Sequence, residues 1–127
     1  MEIIQLKFLL ILLPHKKMSV SVVNLSINKG TDFESTFDVN NYDNSQFLFN
    51  NYSAAAKIRK HPSATSYQSF QTSFPASGKI KISMASTITS QLSAGRNYYD
   101  VIIIENATNK TRKIFEGTII VDETISV

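Results

Sequence analysis

Four groups of side chains in this sequence have types and spacing that invite chemistry. Asp32, Glu34 and Asp38 share one parity of a single stretch, a row of carboxylates of the kind that can hold a cation. Arg59, Lys60 and His61 form a short basic run before Pro62 and would meet an anion or an acidic partner. Asp100 stands between Tyr99 and Val101, the setting of a catalytic acid or of an outward-facing strand residue. A serine with His61 and an acid would make a small hydrolase, but there is no G-x-S-x-G elbow to present the serine. The blander reading of each group is a solvated strand face or turn. No Gly-rich phosphate loop, His-Glu helix motif or acidic calcium loop accompanies them. The sequons at Asn24, Asn51, Asn106 and Asn109 carry no weight in a chain this rich in Asn, Ser and Thr.

Composition narrows the chemistry further. The 127 residues include no cysteine and two histidines, His15 and His61. Disulfides, Cys-ligated metals and thiol nucleophiles are excluded, and a His-rich metal centre is not expected. The reading is therefore no catalytic residue, no metal and no cofactor. The net charge is +3. Lys7, Lys16 and Lys17 against Glu2 give +2 within residues 1–17, leaving 10 basic and 9 acidic side chains, a net +1, in the rest. No basic block exceeds Arg59-Lys60, so the phosphate-neutralising patch of a nucleic-acid binder is missing. No stretch reaches the 18 or so apolar residues of a membrane span, so neither nucleic acid nor membrane is expected as a partner.

The elements that must position these residues are strands. Val23, Leu25 and Ile27 alternate with polar neighbours, as do Phe33, Ser35, Phe37 and Val39. The same period of two runs through Tyr52–Ile58, Ser69–Phe74 and Lys79–Met84. Turn chemistry separates them at Lys29–Asp32, His61–Ser63, Pro75–Gly78, Ser93–Gly95 and Asn106–Lys110. The Asn-rich connection 40–51 is longer, with Phe47 and Phe49 tucked under it. Residues 86–92 allow at most one short helical turn, capped by Ser86 or Thr87. The expected fold is all-β: a small antiparallel sandwich of about seven strands, Ig-like in size.

The last two strands differ. Tyr98–Ile104 is apolar on both parities apart from Asp100. If Tyr99, Val101 and Ile103 face the core, then Tyr98, Ile102 and Ile104 face outward. In Lys113–Val121, Phe115, Ile119 and Val121 share a parity, which leaves Ile114 and Ile120 opposite. Tyr98, Ile102, Ile104, Ile114 and Ile120 are therefore the candidate interface, covered by a partner or by the N-terminal segment. Gly117 within the strand predicts a bulge or a close backbone approach.

Residues 1–17 read as an extension to a single domain over 18–127. The apolar run Phe8–Leu13 is shorter than a signal h-region, and Pro14-His15-Lys16-Lys17 is no cleavage site. The expectation is that translation starts at Met18.

The order of segments resembles small Ig-like virion proteins of tailed bacteriophages, especially T4-like phages of marine cyanobacteria. Four stretches carry the likeness. Ile27–Phe33 is a strand end, a turn and a phenylalanine strand; Tyr52–His61 is a tyrosine-led strand closing in Arg-Lys-His. Gly78–Met84 is followed by Leu92–Arg96 with its Ala-Gly-Arg, and Tyr99-Asp100-Val101 precedes Glu116–Val121. The match spans about residues 22–126 and starts near Met18. Asn97 stands where the family carries an aromatic, which puts a tyrosine-corner bond there in doubt. The resemblance implies a non-enzymatic virion structural protein of the tail, neck or baseplate. Its implied partners are copies of itself and other virion proteins. The alternative implied use is a carbohydrate- or receptor-binding adhesion domain, with loop aromatics Tyr42, Phe47, Phe49 or Tyr67 as contacts.

Overall fold

The computed structural model describes residues 5–8 as backbone, and residues 20–41 and 44–126 in full. Met18, Tyr42 and most of the N-terminal extension lie outside the described residues. The seven expected strands are present with small shifts at their ends. They are preceded by β1 (Gln5–Phe8) and β2 (Ser21–Val22). β3 (Leu25–Asn28), β4 (Phe33–Asn41), β5 (Tyr52–Arg59), β6 (Gln68–Ser73) and β7 (Lys79–Met84) follow. A four-residue helix, α1 (Ser86–Thr89), leads to the long strands β8 (Gly95–Glu105) and β9 (Thr111–Asp122).

The chain is all-β, as the alternation demands, but the expected antiparallel sandwich is corrected to a curled, mixed sheet, open like a half-barrel. Its strand order is β1-β4-β7-β6-β5-β8-β9-β2, with β3 also on β9. Three pairings are parallel: β1 with β4, and β2 and β3 with β9. The sheet is continuous because β6 serves both halves. Its first residues pair with β5 (Lys57↔Ser69), its last with β7 (Thr72↔Ile82). Where β5 and β6 part, the Thr72 hydroxyl donates to the Ala54 carbonyl across 3.2 Å.

The inward parity of each strand meets in one core. Phe37 of β4 stacks on Phe115 of β9 with ring centroids 4.3 Å apart, and both are fully buried. Phe47 and Phe49 are buried as expected; Phe49 also stacks on Phe74 at 4.6 Å and closes one end of the fold. The Asn-rich connection holds these rings through backbone that bulkier residues resist. Asn44 (φ 72°) and Asn51 (φ 63°) sit in the left-handed region that asparagine tolerates.

Three local arrangements carry the architecture. First, β9 bulges. Val101 pairs with Phe115 but Ile102 pairs with Lys113, so Ile114 is the extra residue and both Ile114 and Phe115 turn inward. Second, Gly117 is a close approach rather than the bulge. A Cβ there would lie 2.2 Å from the Val23 carbonyl oxygen. That carbonyl accepts from the Tyr99 hydroxyl at 2.7 Å, and the Val23 amide donates to the Glu116 carbonyl at 2.9 Å. Third, α1 is capped from outside. Its N-cap residue Ala85 offers no side-chain bond; the Asp32 carboxylate accepts from the Ser86 amide at 2.8 Å instead. The expected caps Ser86 and Thr87 are thereby corrected. Thr89, fully buried, accepts from the Gly30 amide (3.0 Å) and donates to the Thr31 carbonyl (2.8 Å).

Candidate interaction surface

The outer face of β5, β8 and β9 is built from residues opposite to the core parity. Register aligns them in rows across the strands. Arg59, Tyr98 and Thr118 make one row; Lys57, Asp100 and Glu116 the next; Ala55, Ile102 and Lys113 the third; Ser53, Ile104 and Thr111 the last. The face thus has a polar half and an apolar half. In the apolar half, Ile102 and Ile104 are flanked on β5 by the small residues Ala55 and Ser53.

The candidate interface residues divide accordingly. Tyr98, Ile102 and Ile104 point outward and are half-buried, and Ile120 is 40% exposed. Ile114 is fully buried and leaves the candidate set, because the extra residue of the bulge reverses the parity that placed it outside. β1 pairs with β4, at the end of the strand order remote from β8 and β9.

In the polar half lies a groove of about 390 Å³ between β5, β8, β9 and the β2–β3 junction. Tyr98, Asp100, Glu116 and Thr118 line it together with Asn24. The Asn24 side-chain oxygen accepts from both the Thr118 amide (3.0 Å) and the Thr118 hydroxyl (3.1 Å). Lys113 donates to Glu116 at 3.0 Å. That bond, opposed by slight burial and aided by the Asp100 charge, raises the ammonium above its ordinary lysine range.

The other candidate groups are committed to the fold. The Arg59 guanidinium donates to the Ala64 carbonyl and stacks 4.8 Å from the Tyr67 ring centroid, with Lys57 on the same ring at 4.1 Å. Lys60 donates to the Ala94 carbonyl at 2.9 Å, while His61 is exposed. The basic run therefore closes two loops instead of converging on one point. The carboxylate row is paired off: Asp38 with Lys79 (2.5 Å), Glu34 with Lys81 (3.9 Å), and Asp32 on the helix amide. Among the described residues no three of His, Cys, Asp and Glu come together to hold a metal. Of the loop aromatics, Phe47 and Phe49 are core and Tyr67 is 46% exposed. Asn97 is buried, its amide donating to the Ser93 (2.8 Å) and Gly95 (3.1 Å) carbonyls, so it closes the loop before β8.

The groove was not legible in the sequence. Its wall at Val22 and Asn24 depends on the parallel pairing of β2 and β3 with β9, which no local pattern announces. The outward parity of Lys57 and Asp100 was the available signal.

No family model and no curated protein matches the sequence. Two solved structures are similar in outline. One is the N-terminal domain of phage TP901-1 ORF48, at 12% identity and a TM-score of 0.47, covering 95% of this chain and 99% of that one. The other is an inclusion body protein, PixA, from Burkholderia cenocepacia, at 11% identity and a TM-score of 0.29, covering 78% of this chain and 59% of that one. At these scores neither likeness carries an argument about this chain.

Proposed function

We propose that this chain is a non-enzymatic structural subunit of a tailed-phage particle, built into the tail, neck or baseplate and bound to copies of itself and to other virion proteins. The single observation that carries the assembly reading is the apolar half of the outer sheet face. Ile102 and Ile104 lie on the outward parity of β8 beside small neighbours on β5 and stay half-buried, and burying what remains exposed of them against a second surface is favourable by about 25 cal/mol per Å² of apolar area. The resemblance in the order of segments to small phage virion proteins suggests the kind of particle. The candidate acids and bases are spent on caps, ion pairs and loop carbonyls, which suits a scaffold.

Peptide mass spectrometry on purified particles tests the reading. The tryptic peptide Asn97–Lys110 is expected in the particles, and a semi-tryptic peptide beginning at Ser19 would fix the start at Met18. Particles that lack Asn97–Lys110 while infected cells contain it would overturn the structural role.

A further inference from the structure

We propose that β1 is an exchangeable strand: Gln5–Phe8 of one copy seats on β4 of a neighbouring copy and ties the two together. The inference rests on the reading that copies of this chain pack together, and it names a contact separate from Ile102 and Ile104. β1 ends the sheet order beside β4, whereas Ile102 and Ile104 lie on β8.

Register defines the seat. Gln5 pairs with Asp38, Leu6 with Val39, Lys7 with Asn40 and Phe8 with Asn41, all in parallel. At the first three positions polar stands beside polar and apolar beside apolar, and Val39 is fully buried. A slip by one residue would set Leu6 against Asp38 or Asn40, so the seat takes this segment in one register. The attachment is main-chain pairing along an edge, the means by which an extended segment of one chain adds to the sheet of another. Among the described residues β1 pairs with no strand but β4. It can therefore leave without opening the rest of the sheet.

Exchange gives up no contacts, because the seat on a second copy is identical. The balance is then one of concentration. Residues 9–20 join β1 to β2 and span at most about 40 Å. A tether of that length holds β1 near its own seat at an effective concentration of about 1 mM. A domain of this size has a radius of gyration of about 14 Å. Copies packed side by side therefore lie within reach of the tether, and they offer their seats at on the order of 10 mM. A free chain in dilute solution keeps its own β1, and copies packed in a particle exchange theirs. The proposal requires translation to begin upstream of Gln5, against the expectation of a start at Met18. The seat on β4 is the observation that favours the longer chain.

The chain has no cysteine, so an introduced pair reports alone. Full-length Gln5→Cys and Asp38→Cys chains are mixed, unfolded, refolded together at about 1 mM or above, and oxidised. A band at twice the chain mass is expected without reductant. It should persist when both chains also carry Ile102→Glu and Ile104→Glu, and fade on refolding at about a hundredfold lower concentration. Gln5→Cys mixed with Thr118→Cys, on the outer face of β9, should give no such band. Phe8→Cys with Asn41→Cys repeats the test away from the Asp38–Lys79 pair, in case Asp38→Cys does not fold. Absence of the band from both mixtures overturns the proposal, as does a band no stronger than that of the Thr118→Cys control. Particles that yield the Ser19 peptide and no Phe8–Lys16 peptide overturn it as well. None of these failures touches the detection of Asn97–Lys110, which decides the structural role by itself.

Discussion

At the scale of single residues, the described structure turns on a few buried polar atoms. Tyr99 is one. Its hydroxyl reaches the Val23 carbonyl, 76 residues away, and ties β8 to the junction of β2 and β3. Tyr99→Phe should cost about 1–2 kcal/mol in urea unfolding at pH 7, since a buried carbonyl loses its donor. Burial also raises the phenol well above its usual range. The folded state keeps that proton when the unfolded chain gives it up near pH 10, so stability is complete below that pH and declines above it. The decline is at most about 1.4 kcal/mol per pH unit, and Tyr99→Phe should make it shallower in unfolding curves taken between pH 9.5 and 11.5. An unchanged slope would show that another group governs the alkaline limit. Thr89 is the second such residue. Thr89→Val keeps the shape but strands the Gly30 amide and the Thr31 carbonyl, for a loss of about 2–3 kcal/mol by the same measurement.

At the scale of elements, period-two reading assigned the inward residues of β3 through β8 because those strands keep a strict pleat. On β9 it placed Phe115, Ile119, Ile120 and Val121 correctly and failed at Ile114, where one extra residue reverses the parity of what precedes it. Alternation cannot report an insertion whose cause lies in the partner strand. It also could not report direction. The parallel seating of β2 and β3 on β9 is a long-range pairing, and with it went the wall of the groove at Asn24. What the sequence did mark was Gly117, the point where those strands come closest. Gly117→Ala forces the Val23 carbonyl away and should cost about 3 kcal/mol or more. Hydrogen exchange should then lose protection at Leu25 and Ile27 first, while β4 and β7 keep theirs. Uniform loss across both halves of the sheet would mean that the junction is not an independent unit.

At the scale of the whole molecule, the outer face of β5, β8 and β9 is divided in two, and its halves can be tested separately. Ile102→Glu with Ile104→Glu places charges on the apolar half without touching the core. The variant should fold as well as the parent by circular dichroism yet sediment as a monomer under conditions where the parent self-associates. A parent that is monomeric at every concentration would leave the face to a different partner protein. The order of the strands has one mechanical consequence. β3 and β9 run parallel, Leu25–Asn28 beside Ile119–Asp122, so the start of β3 and the end of β9 lie at opposite ends of the pair. A pull between Val20 and Glu123 therefore slides the two strands past each other and loads all their hydrogen bonds at once. It does not peel them open one by one. Between those two points the fold resists tension in shear, the direction in which a ladder of short bonds is strongest.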